Sequence, residues 1–169
     1  PSVTYSLNSI IKGWLQPGDH VLVGSLEHNA MMRPLVQMES IGVAFDRIPA
    51  DEEGRMLVEE IEPLIRPNTK GILTLHGSNV CGSITPLQQV GEICQRHNIK
   101  FVVDAAQTAG VFPINMEAMH IDVLAFTGHK SLLGPQGIGG FLLTDEMARE
   151  IRPVITGGTG SVSDSEEQP

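Results

Sequence analysis

The sequence predicts an α/β fold, a three-layer αβα sandwich on a mostly parallel sheet, and three observations predict it. Short apolar runs rich in Val, Ile, Leu and Phe recur at 20–23, 43–48, 71–75, 101–104, 123–126 and 140–143. Such near-continuous runs suit strands covered on both faces. Segments with helical spacing lie between them, at 4–15, 31–41, 56–65, 86–97 and 144–151. Alternating strands and helices with right-handed crossovers place helices on both faces of a parallel sheet. Finally, several polar residues follow the runs directly, where open α/β sheets gather their ligands.

The elements can be justified in order. The first helix starts at Thr4 with almost no lead-in, and His20-Val-Leu-Val23 follows the turn signal Pro17-Gly18. The helix at 86–97 is the best signalled. Thr85 is placed to cap it, Pro86 suits the first turn, and Leu87, Val90, Ile93 and Cys94 keep helical spacing. Asp145 and Glu146 favour the N-terminus of the last helix. Runs 123–126 and 140–143 are joined without a clear helix, through Gly134-Pro-Gln-Gly-Ile-Gly-Gly140. One of that pair can therefore run antiparallel.

Composition excludes several classes. The 169 residues fit one domain with a substantial core, at 41% hydrophobic and 18% charged. A formal net charge of −9 with no Lys/Arg cluster argues against a nucleic-acid surface. No apolar run reaches the roughly 20 residues of a membrane span. Cys81 and Cys94 have no metal-ligand spacing, so no metal site is expected and a reducing, cytoplasmic setting fits. Cys94 reads as packing; nothing nearby in sequence lowers the pKa of Cys81. The chain opens inside a helix and closes on a polar, glycine-rich stretch from Gly157. It is expected to be a piece of a longer protein, with a domain over 1–156 and a Gly/Ser-rich acidic tail over 157–169.

The most informative stretch is Ala125-Phe-Thr-Gly-His-Lys-Ser131, read with Phe101-Val-Val-Asp-Ala-Ala-Gln107. Lys130 by itself reads as a surface charge. Its place after a strand, in a turn shared with Thr127 and His129, points instead to a Schiff-base amine beside phosphate donors. Asp104 is either a cap or a carboxylate that keeps a pyridine nitrogen protonated. Gln107 can donate to a phenolic oxygen of the same ring, and Ala105 and Ala106 leave room for it. His28 is either a loop residue or a ring-stacking proton carrier. Asn79 offers a cofactor or substrate contact, while His76 reads as structural. His20, His97 and His120 read as surface or boundary residues. Pyridoxal phosphate is the cofactor these types require together. No dinucleotide or Walker pattern supports a nucleotide-binding domain.

These segments resemble class V aminotransferase-fold, pyridoxal-phosphate-dependent enzymes, near the cysteine desulfurase and selenocysteine lyase group. The resemblance rests on Gly18-Asp-His-Val21, Glu27-His-Asn-Ala30, Arg33-Pro-Leu35, His76-Gly-Ser-Asn-Val80, Val103-Asp-Ala-Ala-Gln-Thr108, Ala125-Phe-Thr-Gly-His-Lys130 and Gly134-Pro-Gln-Gly137. It implies the large domain of a fold-type-I enzyme, truncated here. It also implies that Lys130 is the Schiff-base lysine and His28 the stacking acid–base residue. Asp104, Gln107 and Asn79 become ring and substrate contacts, and Thr4, Thr127 and His129 phosphate ligands. Val3 stands where a small hydroxyl residue is common, leaving only a backbone contact there. Thr159 is implied to reach a partner's site in a homodimer. The implied reaction converts L-cysteine or L-selenocysteine to L-alanine and passes sulfur or selenium to an acceptor protein. An aminotransferase or C–S lyase on the same scaffold is the alternative. In the family, the sulfur-accepting cysteine and the substrate-binding arginine lie in a smaller C-terminal domain. Cys81 and Cys94 do not match that cysteine, and the piece itself is expected to be inactive.

Overall fold

A computed structural model of the chain describes residues 2–158. In chain order the elements are α1 (Val3–Trp14), β1 (His20–Gly24), α2 (Asn29–Glu39), β2 (Ala44–Ile48), α3 (Ile61–Leu64), β3 (Thr69–Leu75), α4 (Leu87–His97), β4 (Lys100–Asp104), β5 (Val123–Thr127), β6 (Gly139–Leu143) and α5 (Asp145–Glu150). The strands form one sheet in the order β2-β1-β3-β4-β5-β6. All neighbours pair in parallel except β6, which runs antiparallel to β5. The tight connection before β6 is too short on secondary structure for a crossover, so the chain turns back.

Two cores follow from the period-2 alternation of strand side chains. Val21, Val23, Leu73, Val102, Val123 and Ala125 face one side, under α1, α2 and Met147 of α5. Leu22, Ile72, Phe101, Val103 and Leu124 face the other, packed by Ile61 of α3 and Leu87, Val90, Ile93 and Cys94 of α4. This is the three-layer αβα arrangement the sequence predicts. Among the described residues no helix is long and apolar enough to cross a membrane.

Three expectations need correction. The predicted helix at 56–65 is reduced to a 3₁₀ turn, Val58–Glu60, and the single turn α3. Met56 instead bridges Ala50, and Arg66, preceding Pro67, is disfavoured from helix. Thr85 does not cap α4, whose first residues lack a side-chain cap; its hydroxyl donates 2.7 Å to the Leu75 carbonyl. A surface role for His20 fails too, because β1 is flanked by β2 and β3 and the ring is fully buried. Its Nδ1 lies 2.7 Å from Thr69 Oγ1. Its Nε2 lies 3.2 Å from Asp46 Oδ2, close enough for an ion pair but not aligned as a hydrogen bond.

Two measurements test this packing. Burial, and then the Arg66 guanidinium, hold the His20 pKa below its usual 6.5 against the pull of Asp46. A base with a depressed folded pKa stabilises fully above its unfolded value, and the contribution is lost as pH falls below about 6.5 through the folded pKa. Urea midpoints taken at pH 7.5 and 5.5 are expected to drop more for wild type than for His20→Asn; equal drops would remove His20 from the account. At Gly91 an added Cβ would meet the Met119 carbonyl oxygen at 1.9 Å, closing off the approach of α4 to that turn. Alanine normally improves a helix interior by about 1 kcal/mol. Here Gly91→Ala is expected to cost about 1–3 kcal/mol by overpacking, read as a lowered urea midpoint.

Candidate active site

Parallel strands end together, and a cleft of about 120 Å³ opens beyond the carboxyl ends of β1, β3, β4 and β5. Thr4, His28, Asn79, Asp104, Gln107, Thr127, His129 and Lys130 all line it. Thus every sequence-predicted site residue among the described ones is brought to a single cleft. Thr159 lies outside the described residues.

Each side chain is placed by an identifiable local device. Ser2 caps α1, its hydroxyl accepting the Tyr5 N–H at 3.4 Å, and Ser6 N–H donates to the Ser2 carbonyl. The N–H groups of Val3 and Thr4 belong to the first turn of the helix, where N–H groups have no intrahelical acceptor and carry partial positive charge. Exposed Thr4 sets that end against the cleft. His28 is the N-cap of α2, and its Nδ1 accepts the Ala30 N–H at 3.0 Å. With Nδ1 accepting, the neutral ring carries its proton on Nε2. Asn79 sits in a loop after β3, closed by Ser78 N–H to the Ser83 carbonyl at 2.9 Å.

Asp104 ends β4 and is buried, at 5% exposure. Its Oδ1 accepts the Ala106 N–H at 2.9 Å, and its backbone carbonyl accepts from His76 N–H. Burial raises its pKa above the usual carboxylate value, opposed by the Ala106 N–H and then by Lys130 and His28. Gln107 follows in the next turn, where its carbonyl accepts the Ser131 hydroxyl. Thr127 closes β5, buried, with Oγ1 3.1 Å from His129 Nδ1. Gly128 N–H donates to the Ile138 carbonyl and Gly134 N–H to the Gly128 carbonyl, so the loop before β6 folds back on the lysine turn. Lys130 projects from this braced turn, half-buried.

The cleft therefore combines an amine, a buried carboxylate and a group of anion donors. A larger cavity, about 490 Å³, lies at the other end of the strands near Lys100 and Asp122. Its lysine is already engaged by carboxylates: Lys100 Nζ stands 2.9 Å from Glu146, 3.6 Å from Asp122 and 3.7 Å from Glu150. The smaller cleft is the one with uncommitted chemistry.

His76 is structural, as its sequence position suggests: buried, 2.8 Å from Thr108 Oγ1 and edge-on to Phe112. Sequence reasoning missed Ser2, which also lines the cleft, although a serine before a helical period is a cap signal. It missed Glu27 as well, whose carboxyl is set between β1 and β3. No sequence signal would have shown that. The expectation that nothing near Cys81 in sequence lowers its pKa is overturned: the hydroxyls of its sequence neighbours Ser78 and Ser83 lower it to about 7.

Comparison with known proteins agrees with this geometry. The family profile described as aminotransferase class-V matches residues 2–168. The cysteine desulfurase IscS of Dictyoglomus turgidum is 31% identical over 160 residues, covering 92% of this chain and 40% of the relative. The apo structure of a cysteine desulfurase from Thermococcus onnurineus NA1 superposes with a TM-score of 0.87 at 32% identity, over 93% of this chain and 40% of that one. The cystine C-S lyase C-DES, solved with its reaction product cysteine persulfide, gives a TM-score of 0.85 at 26% identity, over 92% and 43%. The chain thus spans about two fifths of the length of these proteins. With its whole described length matched by one family profile, the chain belongs to the class-V aminotransferase family.

Proposed function

We propose that this chain is the cofactor-binding part of a pyridoxal-phosphate-dependent, cysteine desulfurase-like enzyme. The whole protein would convert L-cysteine or L-selenocysteine to L-alanine and pass the sulfur or selenium to an acceptor protein. The observation that carries the reading is the convergence of Lys130, buried Asp104 and the donors Thr4, Thr127 and His129 on one cleft. Residues 1–156 would form the large domain, with 157–169 a loop in the whole protein.

The donor set fits the group on chemical grounds. A buried carboxylate is costly without a cation facing it, and a protonated pyridine nitrogen is such a cation. A phosphate suits the start of α1, where helix N–H groups and the Thr4 hydroxyl meet Thr127 and His129. Ala106 presents no bulk against a flat ring. When bound, pyridoxal phosphate supplies an electron sink for a carbanion at the substrate Cα.

The protein's residues then divide the remaining work. Thr4, Thr127 and His129 would hold the phosphate oxygens. Asp104 would accept from the ring nitrogen and keep it protonated, and the Gln107 amide would donate to the phenolic oxygen. His28 would cover the ring face. For His28 to act as an acid, Nδ1 must take a proton and release the Ala30 N–H, so proton transfer there is coupled to the start of α2. Lys130 would hold the group through Nζ, and the same amine, when free, would move a proton. Asn79 contacts substrate or cofactor at the rim.

A homodimer is part of the proposal. Val111, Phe112, Leu132 and Leu133 are exposed apolar residues on the loops that follow Gln107 and Lys130. The contribution of Thr159 to the neighbouring copy's cleft is proposed on the family resemblance alone. A C–S lyase is the second reading, favoured by the likeness to C-DES.

Spectra and products test these readings on the full-length protein. Added pyridoxal phosphate is expected to give a visible absorbance band that borohydride reduces, and Lys130→Ala is expected to abolish it. No band in wild type, or a persistent reducible band in the variant, would overturn the assignment. Asp104→Asn is expected to lower turnover by about 10²–10³-fold, the scale of losing one pre-organised electrostatic partner. Alanine and a protein-bound persulfide are the expected products from cysteine; pyruvate and ammonia would select the lyase reading instead.

A further inference from the structure

Glu27 precedes His28 in sequence, yet its side chain enters the joint between β1 and β3. Its Oε1 accepts the Leu75 N–H at 2.9 Å. The same oxygen rests against Gly24, where an added Cβ would meet it at 2.5 Å. Gly24 closes β1 and Leu75 closes β3, so one carboxyl straps together the ends of two adjacent strands. Leu75 pairs with Asp104 in the ladder to β4 and lines the cleft beside His28. The strap is therefore one residue from His28 on one side and one strand from Asp104 on the other.

We propose that Glu27 is a positioning residue of the cleft: its carboxyl locks the end of β1 to the end of β3 and so fixes the His28 ring relative to Asp104 and Lys130. The proposal rests on reading the cleft as a cofactor site. A displacement of about 1 Å in a reacting group can cost about 10²-fold in rate, so a rigid tie next to His28 has catalytic weight.

The state of the carboxyl agrees with that task. Burial pushes its pKa well above the usual range and the Asp104 charge adds to this, against the Leu75 N–H, Arg47 and the Gly24 N–H. The shift is towards the uncharged acid, the form that adds no second negative charge beside Asp104. Its Oε2 is buried without a partner among the described residues. A void of about 20 Å³ lined by Glu27, Ser83 and Thr85 has room for one water to meet that oxygen.

The test uses the full-length protein, wild type against Glu27→Ala, Glu27→Gln and Ile48→Ala. Ile48 is fully buried and lines the same void from β2, so its truncation is a control for packing loss alone. In the cofactor-free protein, the His28 imidazole ¹H–¹⁵N correlation is expected to shift or broaden in Glu27→Ala and to return in Glu27→Gln. In the cofactor-loaded protein, Glu27→Ala is expected to lose at least half of the induced circular dichroism of the visible band and at least tenfold in turnover, with glutamine restoring both. Ile48→Ala is expected to lower Tm without moving either spectrum. Unchanged His28 signals in Glu27→Ala, or an equal change in Ile48→Ala, would overturn the positioning role. A wild-type protein with no cofactor band would overturn the cofactor reading instead, while the imidazole signals still decide on Glu27.

Discussion

The cleft depends on parallel pairing through β1, β3, β4 and β5. Parallel strands all point one way, so their last residues line up along one edge of the sheet, whereas antiparallel neighbours would send alternate ends to opposite edges. Each chain exit here delivers something different to that edge: Glu27 and His28 after β1, Asn79 after β3, Asp104 and Gln107 at β4, and Thr127 to Lys130 at β5. Helical layers on both faces make the strands rigid and dry. A polar group at such an end is held in place by the ladder behind it and is only partly solvated, which gives it unusual chemistry.

That dryness acts differently on the two buried acids at this edge. Burial raises the pKa of both Glu27 and Asp104, and the Asp104 charge raises that of Glu27 further. Asp104 has Lys130 and His28 across the cleft to draw it back towards its ionised form. Glu27 has backbone N–H groups and a small void, and its geometry is that of a strap. Two acids close in sequence to site residues thus come to serve opposite purposes, one electrostatic and one mechanical.

The fold was readable where local chemistry and tertiary demand agree. The apolar runs became the six strands among the described residues, because a strand buried on both faces has no polar positions to confuse it. The turn back into β6 was foreseen because a glycine-rich connection without a helix makes a poor crossover. Reading failed where distant partners decided the outcome. Met56 left the expected helix to bridge Ala50, and Thr85 gave its hydroxyl to Leu75 rather than to α4. His20 is polar and sits at a strand start, which looks like surface until β2 and β3 enclose it.

From the amino-acid order alone follow the layer architecture, the family, and the set of residues from Thr4 to Lys130 that face one cleft. These are carried by patterns within short segments: alternation, helical period, and polar residues directly after apolar runs. Tertiary structure decided the rest. Only the packed sheet shows that Asp104 is deprived of water, that the His28 ring spends Nδ1 on capping α2, and that Glu27 spans two strands to Leu75. Burial and hydrogen-bond partnership are properties of pairs of segments brought together from far apart, and no single segment encodes them.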